Sequence, residues 1–130
     1  MKMEVKPVQA LDLWRNVVAE SVRRDGPDLS ARQMALLLTV YLSPPPHTVR
    51  GLAQILAVSK PAITRALDRL SDFGLVKRKV DEADRRSVLV QRTVKGSVYL
   101  REFGDIIVHA AAVSSTNAST LPKSLDSDRV

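Results

Sequence analysis

The sequence predicts a mainly α-helical protein with one small antiparallel β-hairpin (an α+β fold), and three observations lead to this fold class. Apolar residues recur at helical spacing through most of the chain. Ser or Thr stands where four of these helices begin, and Gly or Pro follows three of them. Only residues 75–94 show two β-branched runs joined by a polar loop, which is typical of a hairpin.

The length of 130 residues allows one domain with a single core. We predict this domain over 1–113, with a central part over 29–96 and flanking helices over 8–24 and 94–113. Residues 114–130 are too polar to bury, so we predict a disordered tail. No apolar run approaches the ~20 residues that cross a bilayer, and the N-terminal segment does not resemble a secretory signal. We therefore expect no membrane partner.

The residue types exclude several classes of function. Cysteine is absent, which excludes disulfides and thiolate metal sites. The two histidines, His47 and His109, do not have metal-ligand spacing, and we expect His47 to be a loop residue beside three prolines. The sequence contains no carboxylate pair, nucleophile–base pair or phosphate loop that would indicate an enzyme. We expect no metal and no cofactor.

The positive charge is concentrated in the middle of the chain. Residues 48–96 contain eleven Lys and Arg against five Asp and Glu, so this segment accounts for the net charge of +6. A basic segment between two flanks without net charge favours a polyanionic partner, and nucleic acid is the first candidate. A solvated surface rich in Lys and Arg would give the same count.

The first two helices are predicted to frame the core. Leu11, Trp14, Val18 and Val22 recur at helical spacing, and Asp25-Gly26-Pro27 ends that helix. Ser30, with its capping-box residue three positions later, begins a second helix that is apolar on nearly all sides. We expect this second helix to be the buried centre, and the prolines that follow it cannot continue a helix.

Two short helices follow, joined by a three-residue turn. Thr48 caps the first and Ser59 caps the second, which carries Pro61 in its first turn and ends at Gly74. The apolar stripe of the second helix consists of Ile63, Ala66, Leu67 and Leu70, and its opposite side carries Lys60, Thr64, Arg65 and Arg69.

Two short helices followed by a hairpin predict a winged helix-turn-helix. The second helix of such a pair fits the major groove of B-DNA, which is about 12 Å wide. We assign Arg65 to a bidentate guanine contact, Thr64 to a thymine methyl or a phosphate, and Lys60, Arg69 and the Ser59 cap to phosphates. In the alternative, Arg65 and Arg69 pair with the nearby Asp68 and Asp72 on a solvated face.

The stretch TVRGLAQILAVSKPAITRALDRLSDFGLVKR, followed by DEADRRSVLVQRTVKG, resembles a MarR-type transcriptional regulator. The wing is the most specific part: Asp84-Arg85-Arg86, then Val90, Thr93 and Gly96 in register. The resemblance implies a cytoplasmic repressor or activator that binds double-stranded DNA as a homodimer on a pseudo-palindromic site. It maps the wing arginines to Arg85 and Arg86, and the recognition contacts to Lys60, Pro61, Thr64 and Arg65.

Several positions depart from the family pattern. Ala83 stands where the family commonly has the wing-tip arginine. Arg85 and Arg86 therefore have an alternative role, which is to brace the wing by pairing with Asp68, Asp81 or Asp84. Arg92 replaces a buried leucine and must reach solvent or a partner. Ala57 replaces a turn glycine, at a cost of about 1–2 kcal/mol if its backbone is left-handed.

The resemblance also implies dimerisation through both chain ends. We assign the dimer interface to six apolar residues of the first and last helices: Leu13, Trp14, Val17, Phe103, Ile107 and Ala110. In the alternative, these residues pack on Met34, Leu37 and Tyr41 within one chain. A small aromatic ligand is a further implication, with Trp14, Met34 and Phe103 as lining residues. The rival function is a winged-helix module that binds protein rather than DNA.

Overall fold

The computed structural model describes residues 5–116 and 120–126. The predicted fold class is confirmed, and every helix in these two ranges is too short or too polar to span a bilayer. In chain order the elements are α1 (Pro7–Arg23), α2 (Ala31–Leu42), β1 (His47–Thr48), α3 (Val49–Leu56), α4 (Lys60–Asp72), β2 (Val76–Val80), β3 (Val88–Arg92), α5 (Val94–Thr116) and a 3₁₀ helix (Ser124–Asp126).

The chain divides into two compact units. The winged unit is Pro27–Arg101, which contains α2 to β3 and the beginning of α5. The terminal unit consists of the described residues before and after that range.

The core of the winged unit is built around α2, as predicted. Leu36 and Leu37 of this helix are fully buried, and so are Ile63, Leu67 and Leu70 of α4. Burying one such side chain contributes about 1.5–3 kcal/mol. The short helices α3 and α4 are therefore held mainly by apolar packing, since isolated helices of this length are marginal in water.

Side-chain caps fix where the helices of the winged unit begin. Ser30 Oγ accepts from Gln33 N at 3.1 Å, and Gln33 Oε1 accepts from Ser30 N at 2.9 Å, which completes the predicted capping box. Thr48 Oγ1 accepts from Gly51 N at 2.9 Å. The sequence therefore located these helix starts correctly.

The sheet has a third strand that the sequence analysis did not predict. The strand order is β1-β3-β2, and both pairs are antiparallel. Val90 of the central strand β3 lies opposite His47 of β1 on one side and opposite Arg78 of β2 on the other. His47, expected in a loop, is a buried strand residue whose Nε2 lies 3.2 Å from Ser43 O. A two-residue strand was missed because it is too short to show alternation.

The junction between α2 and the hairpin is closed by polar contacts. The Tyr41 hydroxyl donates to Leu75 O at 2.7 Å and accepts from Thr93 N at 2.9 Å. Arg92 donates to Val40 O at 2.9 Å and to Ser43 O at 2.8 Å. Arg92 thus finds partners at the carboxyl end of α2, where cations are favoured.

The terminal unit includes part of the segment that the sequence predicted as a tail. α5 extends to Thr116, and within 120–126 the chain forms the 3₁₀ helix, where Asp126 Oδ1 accepts from Val8 N at 2.7 Å. This carboxylate satisfies an N–H in the first turn of α1 and favours its positive end. The disorder prediction for 117–119 and 127–130 lies outside the described residues.

The predicted dimer residues divide into two groups. Val17, Phe103 and Ala110 are buried within the single chain, so they do not form the exposed patch that we expected. Leu13 is half-buried, whereas Trp14 and Ile107 are exposed. The apolar faces of α1 and α5 are wider than a single contact surface. One part of each face is buried by the chain itself, and the rest is half-buried or exposed.

Candidate nucleic-acid interface

Helix α4 has one buried and one exposed side, as the sequence predicted. Ser59 Oγ caps it by accepting from Ala62 N at 3.3 Å, and Pro61 lies in its first turn. Gly74, just beyond the helix, has φ of +74°, the left-handed conformation that glycine adopts without strain. Since Ile63 and Leu67 are fully buried, the orientation of α4 is fixed by the core.

The turn before α4 contains one strained residue. Ala57 has φ of +52° and ψ of +43°, a left-handed conformation that costs a non-glycine residue roughly 1–2 kcal/mol. The chain tolerates it because the turn is closed by Val58 N donating to Ala53 O at 3.1 Å and by apolar packing on both sides. This turn sets the angle between α3 and α4.

The exposed side of α4 presents cations to solvent. Arg65 makes no side-chain hydrogen bond or ion pair within residues 5–116 and 120–126. Arg69 lies over the Phe73 ring, with its guanidinium carbon 5.0 Å from the ring centroid. The Thr64 hydroxyl donates to Lys60 O at 3.0 Å, so this hydroxyl is engaged by its own helix.

The alternative required Asp68 and Asp72 to pair with the arginines of α4, and the ion pairs of the described residues do not include such a pair. Asp68 pairs instead with Arg78 of β2, at 2.7 Å between Oδ1 and Nη1. The pair joins α4 to the wing strand. Both partners are partly exposed, so its contribution to folding is small, about 0–1 kcal/mol.

The wing loop, residues 81–87, is closed by its own backbone and carboxylates. Asp81 Oδ1 accepts from Ala83 N at 3.0 Å, and Asp84 Oδ1 accepts from Arg86 N at 3.2 Å. The Arg86 side chain is 95% exposed, and its Nε lies 3.6 Å from Asp84 Oδ1. Of the three bracing partners considered, Asp84 is therefore the one that Arg86 contacts, while Asp68 is engaged by Arg78. Arg85 is exposed.

A basic cleft of about 350 Å³ lies where the first turns of α3 and α4 meet the wing. Four cationic and one anionic residue line it together with small polar and apolar residues: Thr48, Val49, Arg50, Lys60, Thr64, Arg78, Asp84, Arg86, Ser87 and Val88. The structure thus brings Lys60, Thr64 and Arg86 of the predicted site together in this cleft. It places the other predicted residues outside its lining: Ser59, Pro61, Arg65, Arg69 and Arg85.

Three polar residues of this cleft had no assigned role in the sequence analysis: Arg50, Arg78 and Ser87. A signal for Arg50 existed, because it stands in the first turn after the Thr48 cap and so at the positive end of α3. A signal for Arg78 also existed, since strand alternation places it on the opposite face from its two neighbouring lysines. Nothing in the local pattern singles out Ser87.

Residues 28–87 match a family model described as the MarR family. A MarR transcriptional regulator from Methanosarcina mazei is 25% identical, with 80% of this chain and 75% of that chain covered and a TM-score of 0.62. A mutant MarR from E. coli is 25% identical, with 88% and 87% covered and a TM-score of 0.64. The MepR–DNA complex of S. aureus, 18% identical with 86% of each chain covered, shares the fold with a TM-score of 0.65.

Proposed function

We propose that the chain is a winged-helix transcriptional regulator of the MarR family, whose model matches residues 28–87, and that it binds double-stranded DNA sequence-specifically through the exposed side of α4. The match to the MarR family model and the 25% identity to a MarR transcriptional regulator support a role in regulation rather than in catalysis. The observation that carries the proposal is the two-sided construction of α4. Ile63 and Leu67 are buried in the core, while Arg65 is exposed and unpaired within the described chain.

The side chains of α4 differ in what they offer to DNA. Arg65 can donate two hydrogen bonds to guanine O6 and N7, a contact worth about 1–3 kcal/mol of discrimination. Because the Thr64 hydroxyl is bonded to Lys60 O, its methyl group is the part available for a thymine methyl. Lys60 and Arg69 contact phosphates, which adds affinity without sequence information. Ser59 and Pro61 place the positive end of the helix at the backbone.

The wing has a supporting role in this proposal. Arg85 and Arg86 are exposed on the loop beside α4 and contact the DNA backbone next to the major-groove site. Because Arg86 already lies near Asp84, its net attraction for a phosphate is weaker than that of an unpaired arginine.

We further propose that the regulator is a homodimer that uses the terminal unit. Four exposed apolar residues of α1 follow one another at spacings of three and four, which places them on one side of the helix: Leu11, Trp14, Val18 and Val22. Trp14, a predicted interface residue, is 54% exposed in the single chain. An exposed apolar stripe of this kind marks an interface, and two copies would place their α4 helices one duplex turn, ~34 Å, apart.

The dimer is tested by the molar mass in solution. Sedimentation equilibrium is expected to give twice the chain mass for the native protein and one chain mass for Trp14→Glu, since a buried carboxylate is costly at an interface. Leu42→Glu is the matched control, because Leu42 is an exposed apolar residue at the end of α2. A monomeric native protein contradicts the proposal.

Response to a small aromatic ligand stays a prediction. Of the residues named for it, Phe103 is buried, Met34 is half-buried and Trp14 is exposed. We expect at least one compound from a panel of small phenolic and aromatic acids to weaken DNA binding. Unchanged DNA affinity across the panel would contradict ligand response without affecting DNA binding.

The salt dependence of binding tests the DNA proposal against the rival module that binds protein. A protein that neutralises about five phosphates gives a slope of log K against log salt near −4.5, at −0.9 per phosphate. We expect such a slope for duplex DNA between low and physiological salt, measured by fluorescence anisotropy. Absence of salt-dependent DNA binding would favour the rival function.

A further inference from the structure

We propose that the basic cleft between α3, α4 and the wing holds one phosphate of the DNA backbone, and that Arg50 and Ser87 are ligands of that phosphate together with Lys60. The inference rests on the proposed function and deepens it, because it adds two phosphate ligands, Arg50 and Ser87, that the DNA proposal does not name. The cleft volume of about 350 Å³ accommodates a phosphate with its ordered water, since one water occupies ~30 Å³.

The charges of the cleft are only partly compensated by the protein. Asp68 neutralises Arg78 at 2.7 Å, and Asp84 lies 3.6 Å from Arg86. Arg50 and Lys60 have no ion pair in the described part of the chain. The cleft therefore retains two positive charges, which a phosphodiester would partly neutralise.

The hydroxyl groups of the cleft differ in whether the protein itself already provides them with a hydrogen-bond partner. Thr48 Oγ1 accepts from Gly51 N as the cap of α3, and the Thr64 hydroxyl donates to Lys60 O. The Ser87 side chain has no hydrogen bond within residues 5–116 and 120–126, although its backbone N–H donates to Asp84 O at 2.8 Å. Ser87 thus offers a hydroxyl donor at the cleft wall, on a backbone that the loop hydrogen bond holds in place.

The position of the cleft gives the phosphate its role. The first turn of α4, the first turn of α3 and the base of the wing all border it, so one phosphate bound there contacts all three elements. Both helix starts carry positive partial charge, which adds to the attraction of Arg50 and Lys60. A phosphate held at this point fixes the register of α4 along the groove, because backbone contacts position the protein on the duplex.

The experiment combines Arg50→Gln with a scan of duplexes in which single phosphates are replaced by neutral methylphosphonates. For the native protein, one replacement per half-site is expected to weaken binding about tenfold, the size of a charge-assisted hydrogen bond. In Arg50→Gln that same replacement loses most of its effect, and the salt slope falls by about 0.9. Arg101→Gln, which removes an exposed arginine outside the cleft lining, is expected to match the native protein in both measurements.

Ser87→Ala supplies a second measurement that does not alter charge. We expect a loss of about threefold in affinity for every sequence, with the salt slope unchanged, since a neutral donor releases no counterion. If Arg50→Gln responds to every methylphosphonate as the native protein does, the cleft is not the phosphate site, while the DNA proposal stands. If the native protein shows no salt-dependent DNA binding, both proposals fall.

Discussion

Helix α4 and the wing loop both carry exposed arginines, but they hold them in different ways. Arg65 projects from a helix whose other side is fully buried, and it has no acidic partner in the described chain. Arg86 stands on a loop of exposed and half-buried residues and lies beside its own carboxylate, Asp84. The buried side of α4 therefore sets the direction in which Arg65 points, and the charge of Arg65 is not compensated within the described residues. The wing loop, residues 81–87, has no such buried side, and Asp84 partly compensates the charge of Arg86.

This difference explains why the two regions have different roles. Discrimination among bases needs donors at fixed positions, because a bidentate contact is lost when its geometry shifts. Phosphate contacts tolerate a partly neutralised cation whose position is less strictly defined, since the duplex offers a continuous line of charge. We therefore assign sequence preference to α4 and general affinity to the wing.

The largest effect is expected from removing the anchor of α4. Leu67→Ala leaves a cavity in the core and is expected to lower the free energy of unfolding by about 2–5 kcal/mol in urea denaturation. Val80→Ala, at an exposed position where the wing begins, is expected to change it by less than about 0.5 kcal/mol. Equal costs at both positions would show that α4 is no better fixed than the wing.

The next effect concerns base preference. Arg65→Ala is expected to remove about 1–3 kcal/mol of discrimination at one base pair of each half-site, measured by competition among single-base variants of the duplex. Lys60→Ala is the control, and it should weaken all variants alike. If both variants lower affinity without altering the base preference, α4 does not read that position.

A smaller effect is expected from the Asp68–Arg78 ion pair that joins the two regions. Asp68→Asn and Asp72→Asn both remove one negative charge from α4, so both should tighten binding to unrelated DNA. Only Asp68→Asn also frees the wing strand, and it should lower the ratio of specific to unrelated binding by about threefold, within the ~1 kcal/mol of an exposed pair. The same ratio for both variants would mean that the pair does not align the wing with α4.

The smallest effect is expected at the wing itself. Arg86→Ala should weaken binding to all duplexes by about twofold, because the guanidinium is exposed and partly compensated by Asp84. Anisotropy titrations on the specific and an unrelated duplex measure this loss. A change of base preference in Arg86→Ala would give the wing a reading role and remove the contrast with α4.

The sequence was sufficient for the helices of the winged unit because each of them has local signals. The capping box at Ser30, the caps at Thr48 and Ser59, and the glycine end at Gly74 are all found where the sequence indicated them. These signals depend on backbone groups within a few residues, so tertiary structure does not change them.

The sequence was insufficient where a contact joins distant segments. The pairing of β1 with β3, the bond between Asp126 and Val8, and the ion pair of Asp68 with Arg78 depend on residues that only the fold brings together. For the same reason Val17 was assigned to an interface although the chain itself buries it, because periodicity gives the apolar side of a helix but not what covers it.

Selection of bound sequences from a random duplex pool tests the central claim most directly, namely that the exposed side of α4 reads base pairs in the major groove. We predict enrichment of a pseudo-palindromic motif with a guanine in each half-site, and loss of preference at that guanine when the selection is repeated with Arg65→Ala. Recovery of unenriched sequences by the native protein, or of the same guanine by Arg65→Ala, would contradict the claim.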